Sequence, residues 1–545
     1  MKFKIAYYIP VFIIVFSCQK PSQNEISDGI ESLIQESAND TSLTKVYAEN
    51  DFKPIWVESG GLRKVGQNYL EELDKVVFDG LEKSNYLSGK QIQLLEKIKE
   101  SKDPSAHAAL DIALSQSFLA LASDLNIGMI DPGAIHKDWK LERKAPTVSY
   151  EEVLGSIAKG GGNLQEIFTL LRPDNPRYEE LKNLLKNQLG KQVEITLVDS
   201  LSAKIGKGDR HLSIPSLRQK LAFLDDLPGG SGNGKEVYDD ELFEAVKKFQ
   251  KRHGLIDDGV IGKDFFAAIN YSQADFLAKI KVNLERLRWL PDFTDNKKDK
   301  IIVNIPDYHL FYVQDGDTIF SSRVVVGKEY RQTPVFKAEM SYLVFSPTWT
   351  LPQTILWEDV IPSIQKDLSY LEQNNMKVLD FQENEIDYEE VDWESLEDEE
   401  DFPYLIRQKP GGQNPLGRVK FMFPNNYSIY IHDSPAKHLF SVDERTFSSG
   451  CIRMEKAEEF ATLLLEGSGD WDTEKISEAM KFEEEKEAMN FEEEKKVPLD
   501  HEKDVWILYL TVWSSEESIA VREDIYGMDR KLAEALSIPV SEYFL

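Results

Sequence analysis

Near residue 300 the chain changes its periodicity, and this change limits the folds open to it. Before it, apolar residues recur at helical spacing in runs such as Ala108–Leu125, punctuated by Gly80, Gly128 and Pro132. After it come β-rich runs, Ile301–Ile305, His309–Val313 and Phe320–Val326, then Tyr342–Phe345, Tyr427–His432 and Val505–Trp513, with turn residues between them. A helix near Met528–Leu536 closes the chain. The pattern predicts a multidomain α+β protein. A length of 545 residues suits roughly three or four domains of about 150 residues each, and 41% hydrophobic content supplies their cores. The expected parts are a leader over 1–18 and a flexible tether over 19–45, where Ser, Asn, Gln, Glu and Asp dominate. A mostly helical scaffold over 46–200 and a small three-helix unit over 211–272 follow, then a β-rich domain over 299–545 interrupted by a 353–417 insertion of helical and loop character.

Charge narrows the partners. Against 95 Asp and Glu stand 64 Lys and Arg, a net charge of −31. That disfavours nucleic acid, which needs clustered positive charge, and adhesion to anionic headgroups through the protein surface. The acidic runs Glu383–Asp401 and Glu483–Lys496 read as solvated surface. At the N-terminus, Lys2 and Lys4 precede an apolar stretch, Ile5–Phe16, too short to span a bilayer. Val15-Phe16-Ser17-Cys18 resembles a bacterial lipobox, which implies lipidation of Cys18 and attachment to a membrane by an N-terminal lipid anchor. No later segment reads as long and apolar enough to span a membrane. The bulk of the protein is expected in the cell envelope, on the periplasmic side.

The chain has two cysteines, Cys18 and Cys451. The second sits in Ser448-Ser449-Gly450-Cys451-Ile452-Arg453, with His432 lying 19 residues upstream of it. An exported thiol with no second cysteine to pair with, next to glycine, has the makings of a nucleophile. It needs a basic neighbour or a helix N-terminus to become a thiolate. The residues from Met454 to Leu464 read as a helix that puts its positive end near the thiol, and His432 ends a strand from which it can serve as general base. The amides of Gly450 and Cys451 are candidates to hold an oxyanion. A Cys and a His alone are more often inert than catalytic, so context decides.

That context resembles the L,D-transpeptidases. Their signature has a His, about fifteen residues, then Ser or Thr, a variable residue, Gly and Cys; here 15 residues separate His432 from Ser448. Ser449 and Arg453 match the large multidomain branch. Gly327 with Arg331, Thr333 and Pro334 is similar to the family's glycine and Thr-Pro segment, and Ser346-Pro347-Thr348-Trp349-Thr350-Leu351-Pro352 to its Asn-Pro-x-Trp-x-x-Pro segment. Asn414–Phe421 leads into Tyr430-Ile431-His432-Asp433-Ser434-Pro435. Within 211–272, Val246–Leu255 followed by Asp258-Gly259-Val260-Ile261-Gly262 resembles a peptidoglycan-binding module, with a Gly-rich loop at 228–235.

The resemblance implies a catalytic domain over 299–545 with a capping lid at 353–417, peptidoglycan stem peptides as partners, no cofactor and no metal. Cys451 attacks the third residue of a tetrapeptide stem and releases D-alanine; an amine then resolves the thioester into a 3→3 cross-link. His432 handles the protons, with Asp433 as the candidate to orient it, through its main-chain carbonyl. Arg453 and Arg445 are candidates either to hold a substrate carboxylate or to form a structural salt bridge; Tyr430 and Trp349 lie near the implied site, with packing as the default role for both, and Ser448 and Ser449 are candidate substrate contacts. A carbapenem is expected to acylate Cys451. A hydrolase using water as acceptor and a non-catalytic wall-binding lipoprotein are the competing readings.

Overall fold

The computed structural model describes residues 20–36, 41–191, 204–229, 235–291, 299–396, 402–469, 471–481, 494–514, 519–541 and 544. The leader with Cys18, most of the Gly-rich loop and most of the acidic run after residue 482 lie outside the described residues. Two compact units emerge: the chain to Met129 with Ala145–Pro173, and Ile130–Lys144 with Asp174–Leu545.

The first unit is helical, and it corrects two expectations. The described residues of the expected 19–45 tether, 20–36 and 41–45, are mostly helical. Gln23–Glu36 and Thr41–Ala48 are helices, and Ile26, Ile30 and Ile34, spaced by four, bury one face of the first in the unit's core. The helix Pro104–Ile127 is, by length and composition, apolar enough to cross a membrane. It is nonetheless the core helix of this unit, with Leu110, Leu114, Phe118, Leu121 and Leu125 fully buried. Its Asp111 collects the Tyr47 hydroxyl at 2.6 Å and the amides of Ile55, Trp56 and Val57 at 2.7–3.0 Å. The end of the Phe52–Trp56 segment is therefore pinned by a buried carboxylate.

The second unit takes more of the chain than the pattern predicts. Residues 130–144 and 174–191, expected in the scaffold, pack here because Trp139, Tyr178, Leu181, Leu184 and Leu185 are apolar and join its core. The helix Gln273–Trp289 is buried almost all round and carries Arg286, which pairs with buried Asp529 on the helix Met528–Ala535. The three-helix module has helices at Ile214–Phe223, Asp240–Arg252 and Lys263–Ile269 around Leu221, Val246, Phe249 and Phe265.

The β-rich domain is a nine-stranded sheet in the order 446–448, 317–327, 452–454, 431–432, 419–422, 336–345, 495–508, 300–304, 309–314. A further pairing of 309–314 with 317–327 closes it on itself. Strand 317–327 is long enough to serve three partners in succession: 309–314 antiparallel, 452–454 antiparallel, then 446–448 in parallel. The late strand runs Lys495–Leu508, longer than expected, and pairs with 336–345 and 300–304. The 353–417 insertion is more than helix and loop. Its strands Met376–Leu379, Glu385–Ile386 and Leu405–Gln408 form a four-stranded sheet with Trp349–Thr350. Its own core includes Leu356, Ile364, Leu371, Val378 and Ile406. Trp393 and Leu396 are buried, so the acidic run from Glu383 is solvated on one side only.

Asp111→Ala would leave several buried donors unsatisfied, so the opening free energy of the first unit should fall by about 3 kcal/mol. Hydrogen exchange at the amides of 55–57 reads this directly; a loss below about 1 kcal/mol would show that Asp111 is not the pin.

Candidate active site

The nucleophile loop is held at both ends by one strand. Ser448 pairs with Gly327, and Arg453 with Val325, so residues 449–451 span the gap between two neighbours of strand 317–327. The next strand over, Ile431–His432, runs parallel to 452–454, with Ile431 opposite Ile452 and His432 opposite Arg453. Paired residues point to the same face and side chains alternate along each strand. Tyr430, His432, Cys451 and Arg453 therefore share one face, brought together by strand pairing across a gap of 19 residues in sequence.

Cys451 is not at a helix N-terminus. Ile452–Met454 is a strand, because its neighbours on both sides offer ladder partners, and the helix begins only at Ala457. The half-buried thiol lies 3.6 Å from the Ser428 carbonyl. Burial pushes it up to about 11, against smaller lowering by the main chain and hydroxyl of Tyr430 and by Arg453. Gly450 has φ of 110°, and a Cβ there would meet Ile429 Cδ1 at 3.2 Å, so glycine is required. Its amide donates to Ser448 Oγ at 3.1 Å and its carbonyl accepts from Thr333 Oγ1 at 2.7 Å. The expected pair of oxyanion donors is thus reduced to the Cys451 amide, since the Gly450 amide is occupied within the loop.

His432 is buried, and its Nδ1 donates to the Asp433 carbonyl at 2.6 Å. A carbonyl only accepts, so Nδ1 carries the hydrogen and Nε2 keeps the lone pair. Burial first and Arg453 second push the imidazole down to about 3; the carbonyls of Asp433, Leu416 and Pro415 act in the opposite direction. Thiol and imidazole therefore both rest neutral near pH 7. Nε2 can accept a proton, and the surrounding carbonyls favour the imidazolium.

The other expected residues divide. Arg453 is half-buried beside Cys451, and among the described residues its guanidinium has no ion-pair or hydrogen-bond partner. Tyr430 touches the thiol, its hydroxyl receives the Trp349 ring N–H, and its ring centroid is 5.7 Å from that of His432. Both aromatics therefore stand at the site. Arg445 does not. It is buried, donates to the carbonyls of Val324, Val442 and Tyr308, and stacks over the Tyr308 ring, so it fastens the chain ahead of the motif. The Asp433 carboxylate turns away from His432 to Lys437 Nζ at 2.7 Å and the Arg418 amide at 3.0 Å; only its main-chain carbonyl orients the imidazole. Ser448 is buried and braces Gly450, while exposed Ser449 accepts from Arg331 at 2.9 Å.

Three residues gain roles that the sequence did not assign them. Thr333 Oγ1 accepts from the Gly327 amide at 2.9 Å while donating to Gly450, joining the 327–333 turn to the nucleophile loop. Tyr526 closes the same turn, donating to the Gly327 carbonyl at 2.6 Å. Arg331 reaches both ways: to Ser449 beside the nucleophile, and to Glu358 and to Asp359 at 2.8 Å in the insertion. A Thr in a turn and an Arg near an acidic insertion carry no local pattern that announces these contacts.

Three family models match the chain. The scaffold domain matches residues 41–185, the model described as "Putative peptidoglycan binding domain" matches 210–269, and the L,D-transpeptidase catalytic domain matches 298–475. A curated "Putative L,D-transpeptidase" of Haemophilus influenzae is 36% identical over 296 residues, covering 54% of this chain and 57% of the relative. The match thus spans little more than half of that relative's length. Two solved structures, L,D-transpeptidases from Stackebrandtia nassauensis and Xylanimonas cellulosilytica, are 16% and 14% identical. Each match covers 57% of this chain, and 95% and 100% of theirs, with TM-scores of 0.21 and 0.17. At those scores no argument rests on them.

The neutral thiol has a direct consequence. Alkylation of Cys451 by iodoacetamide in the resting protein should be slow at pH 7 and rise about tenfold per pH unit up to pH 10, because the thiolate fraction keeps growing below a pKa of about 11. A rate that levels off below pH 9 would contradict the raised thiol.

Proposed function

We propose that this chain, whose residues 298–475 match the L,D-transpeptidase catalytic domain, cross-links peptidoglycan by acyl transfer through Cys451. The observation that carries the reading is the shared face of Cys451, His432 and unpartnered Arg453, set by the parallel pairing of 431–432 with 452–454. Sγ attacks the carbonyl of the third residue of a tetrapeptide stem as His432 Nε2 takes its proton. The tetrahedral adduct leans on the Cys451 amide. Its collapse breaks the bond to the terminal D-alanine, whose amine leaves with the proton from His432, and a thioester remains. An acceptor amine then attacks the thioester, His432 takes the amine's proton, and the sulfur leaves to give the 3→3 link. Each proton passes through one nitrogen whose partner nitrogen is fixed by Asp433 O.

Arg453 supplies the charge that recognises a stem carboxylate. Tyr430 and Trp349 form the aromatic wall between that charge and the insertion. The insertion acts as a lid that excludes water and so favours aminolysis over hydrolysis, and Arg331 latches it to the loop that bears the nucleophile. The substrate sets the place of action as the cell envelope. Lipidation at Cys18 is the proposed tether, with the working domains on the periplasmic side, and a carbapenem is the proposed covalent inhibitor at Cys451.

Incubation with disaccharide tetrapeptide, followed by mass spectrometry, tests the reaction. The expected product is a dimer lighter by one D-alanine, absent with Cys451→Ala. A tripeptide monomer alone would assign hydrolysis instead, and no turnover would overturn catalysis on this donor. The latch has its own test. Ion pairs this exposed are worth about 1 kcal/mol at most, so Arg331→Gln should raise the ratio of tripeptide to dimer by up to about fivefold. An unchanged ratio would remove Arg331 from the lid.

A further inference from the structure

A cavity of about 990 Å³ lies along the seam where the three-helix module meets the β-rich domain. This volume suits a ligand of drug or short-peptide size. Module residues from Lys220 to Phe276 form one wall, and Asp307, Asp443, Glu444 and 519–525 the other. It shares no residue with the group around Cys451 and His432.

The seam is held by matched charges. Arg522 Nε donates to Asp307 at 2.7 Å and its Nη1 to the Arg252 carbonyl at 2.6 Å, while the Arg252 guanidinium pairs with Asp226 at 2.6 Å. Gly254, at φ 73°, makes room for this clasp: a Cβ there would meet Arg522 Cδ at 2.8 Å.

Among the charged groups that line this cavity, Lys220 and Glu523 are unmatched. Lys220 is 6% exposed and lines the cavity, yet among the described residues it has no hydrogen bond or ion pair. Burial alone pushes its ammonium down. Glu523, exposed at the surface, also lines the cavity and has no hydrogen bond among the described residues. Burial pushes it up, Lys279 pulls it down, and the nearby carboxylates of Glu444 and Asp264 push it up further. Asp443 is raised in the same way, by burial and Asp264, although it accepts from the Ile256 main chain. The lining also includes the apolar side chains of Phe223, Ile269, Phe276 and Ile525. An ammonium on a buried side chain without a partner, in a cavity that carboxylates and apolar side chains also line, is costly for the empty fold. It is complementary to a ligand with the opposite charges at its two ends.

We propose that this seam cavity is a second peptide-binding site, in which Lys220 receives a free carboxylate and Glu523 with Asp443 a free ammonium of the same short peptide. That the peptide is a wall stem rests on the transpeptidase reading; the charge layout does not. A stem carries both groups, so a chain holding one at the seam and another at Cys451 would be anchored to the wall while it works. The module would then contribute half of a site rather than a complete binding surface of its own.

Photo-crosslinking tests this with the full chain carrying Cys451→Ala and a soluble stem tetrapeptide bearing a diazirine. Mapping by mass spectrometry should give two groups of adducts, one in 328–350 and 428–453, the other in 264–276 and 519–525. Adding Lys220→Met should reduce the second group at least tenfold and leave the first unchanged, without lowering the melting temperature, because an unpaired buried charge is removed. Glu523→Gln should weaken the same group. Adducts at Cys451's site alone would overturn the seam proposal and leave the transpeptidase reading standing. Adducts at the seam alone would support the seam and count against that reading, and adducts at neither would overturn both. A Lys220→Met chain that melts several degrees lower but keeps its seam adducts would assign Lys220 to structure and overturn its role here.

Discussion

The parallel pairing of Ile431–His432 with Ile452–Met454 is the interaction on which the proposed chemistry depends. The register allows little slack. A slip by one residue would turn His432 to the opposite face of the sheet and separate it from Cys451. Two other strands guard against that slip. Strand 419–422 pins 431–432 from the far side, with Lys420 opposite His432, and strand 317–327 pins 452–454. The site is thus built on paired strands and one tight loop, the arrangement that holds side chains most closely.

Burial sets the electrostatics of that site. It costs both partners their charged forms, so the resting state is thiol and imidazole rather than an ion pair. What the fold supplies is a fixed tautomer and a ring of carbonyls for the charge that appears during reaction. The charge on Arg453 disfavours an imidazolium and favours a thiolate, which suits the proposed first event, loss of the thiol proton to His432. In a chain of net charge −31, a half-buried guanidinium without a partner among the described residues is able to draw in a carboxylate.

How much of this was legible in the sequence depended on whether the signal was local. The change from helical to β periodicity near residue 300, the three helices of the module and the spacing of His432 to Ser448 are all short-range patterns, and each survives in the structure. The failures share a different cause. The polar run after residue 19 hid a three-isoleucine stripe whose burial depends on the rest of its unit. The segment after Cys451 has helical composition, but strand partners on both sides decide its first three residues. Trp139 and Tyr178 gave no sign of which unit they would join. Arg445 and Arg453 are both arginines flanking the motif, and only long-range contacts separate a guanidinium consumed by carbonyls from one left open. Thr333, Arg331 and Tyr526 reach the loop across more than a hundred residues or through the sheet's closure, which no periodicity encodes.

The account stands or falls on a covalent bond at Cys451. The most direct measurement is the intact mass of the full chain, mixed with disaccharide tetrapeptide and quenched in acid within the first turnover. The account predicts a species heavier by the donor less D-alanine, with the adduct mapped to Cys451 and released by hydroxylamine as a thioester would be. An adduct on another residue, or a chain of unchanged mass while product accumulates, would contradict it.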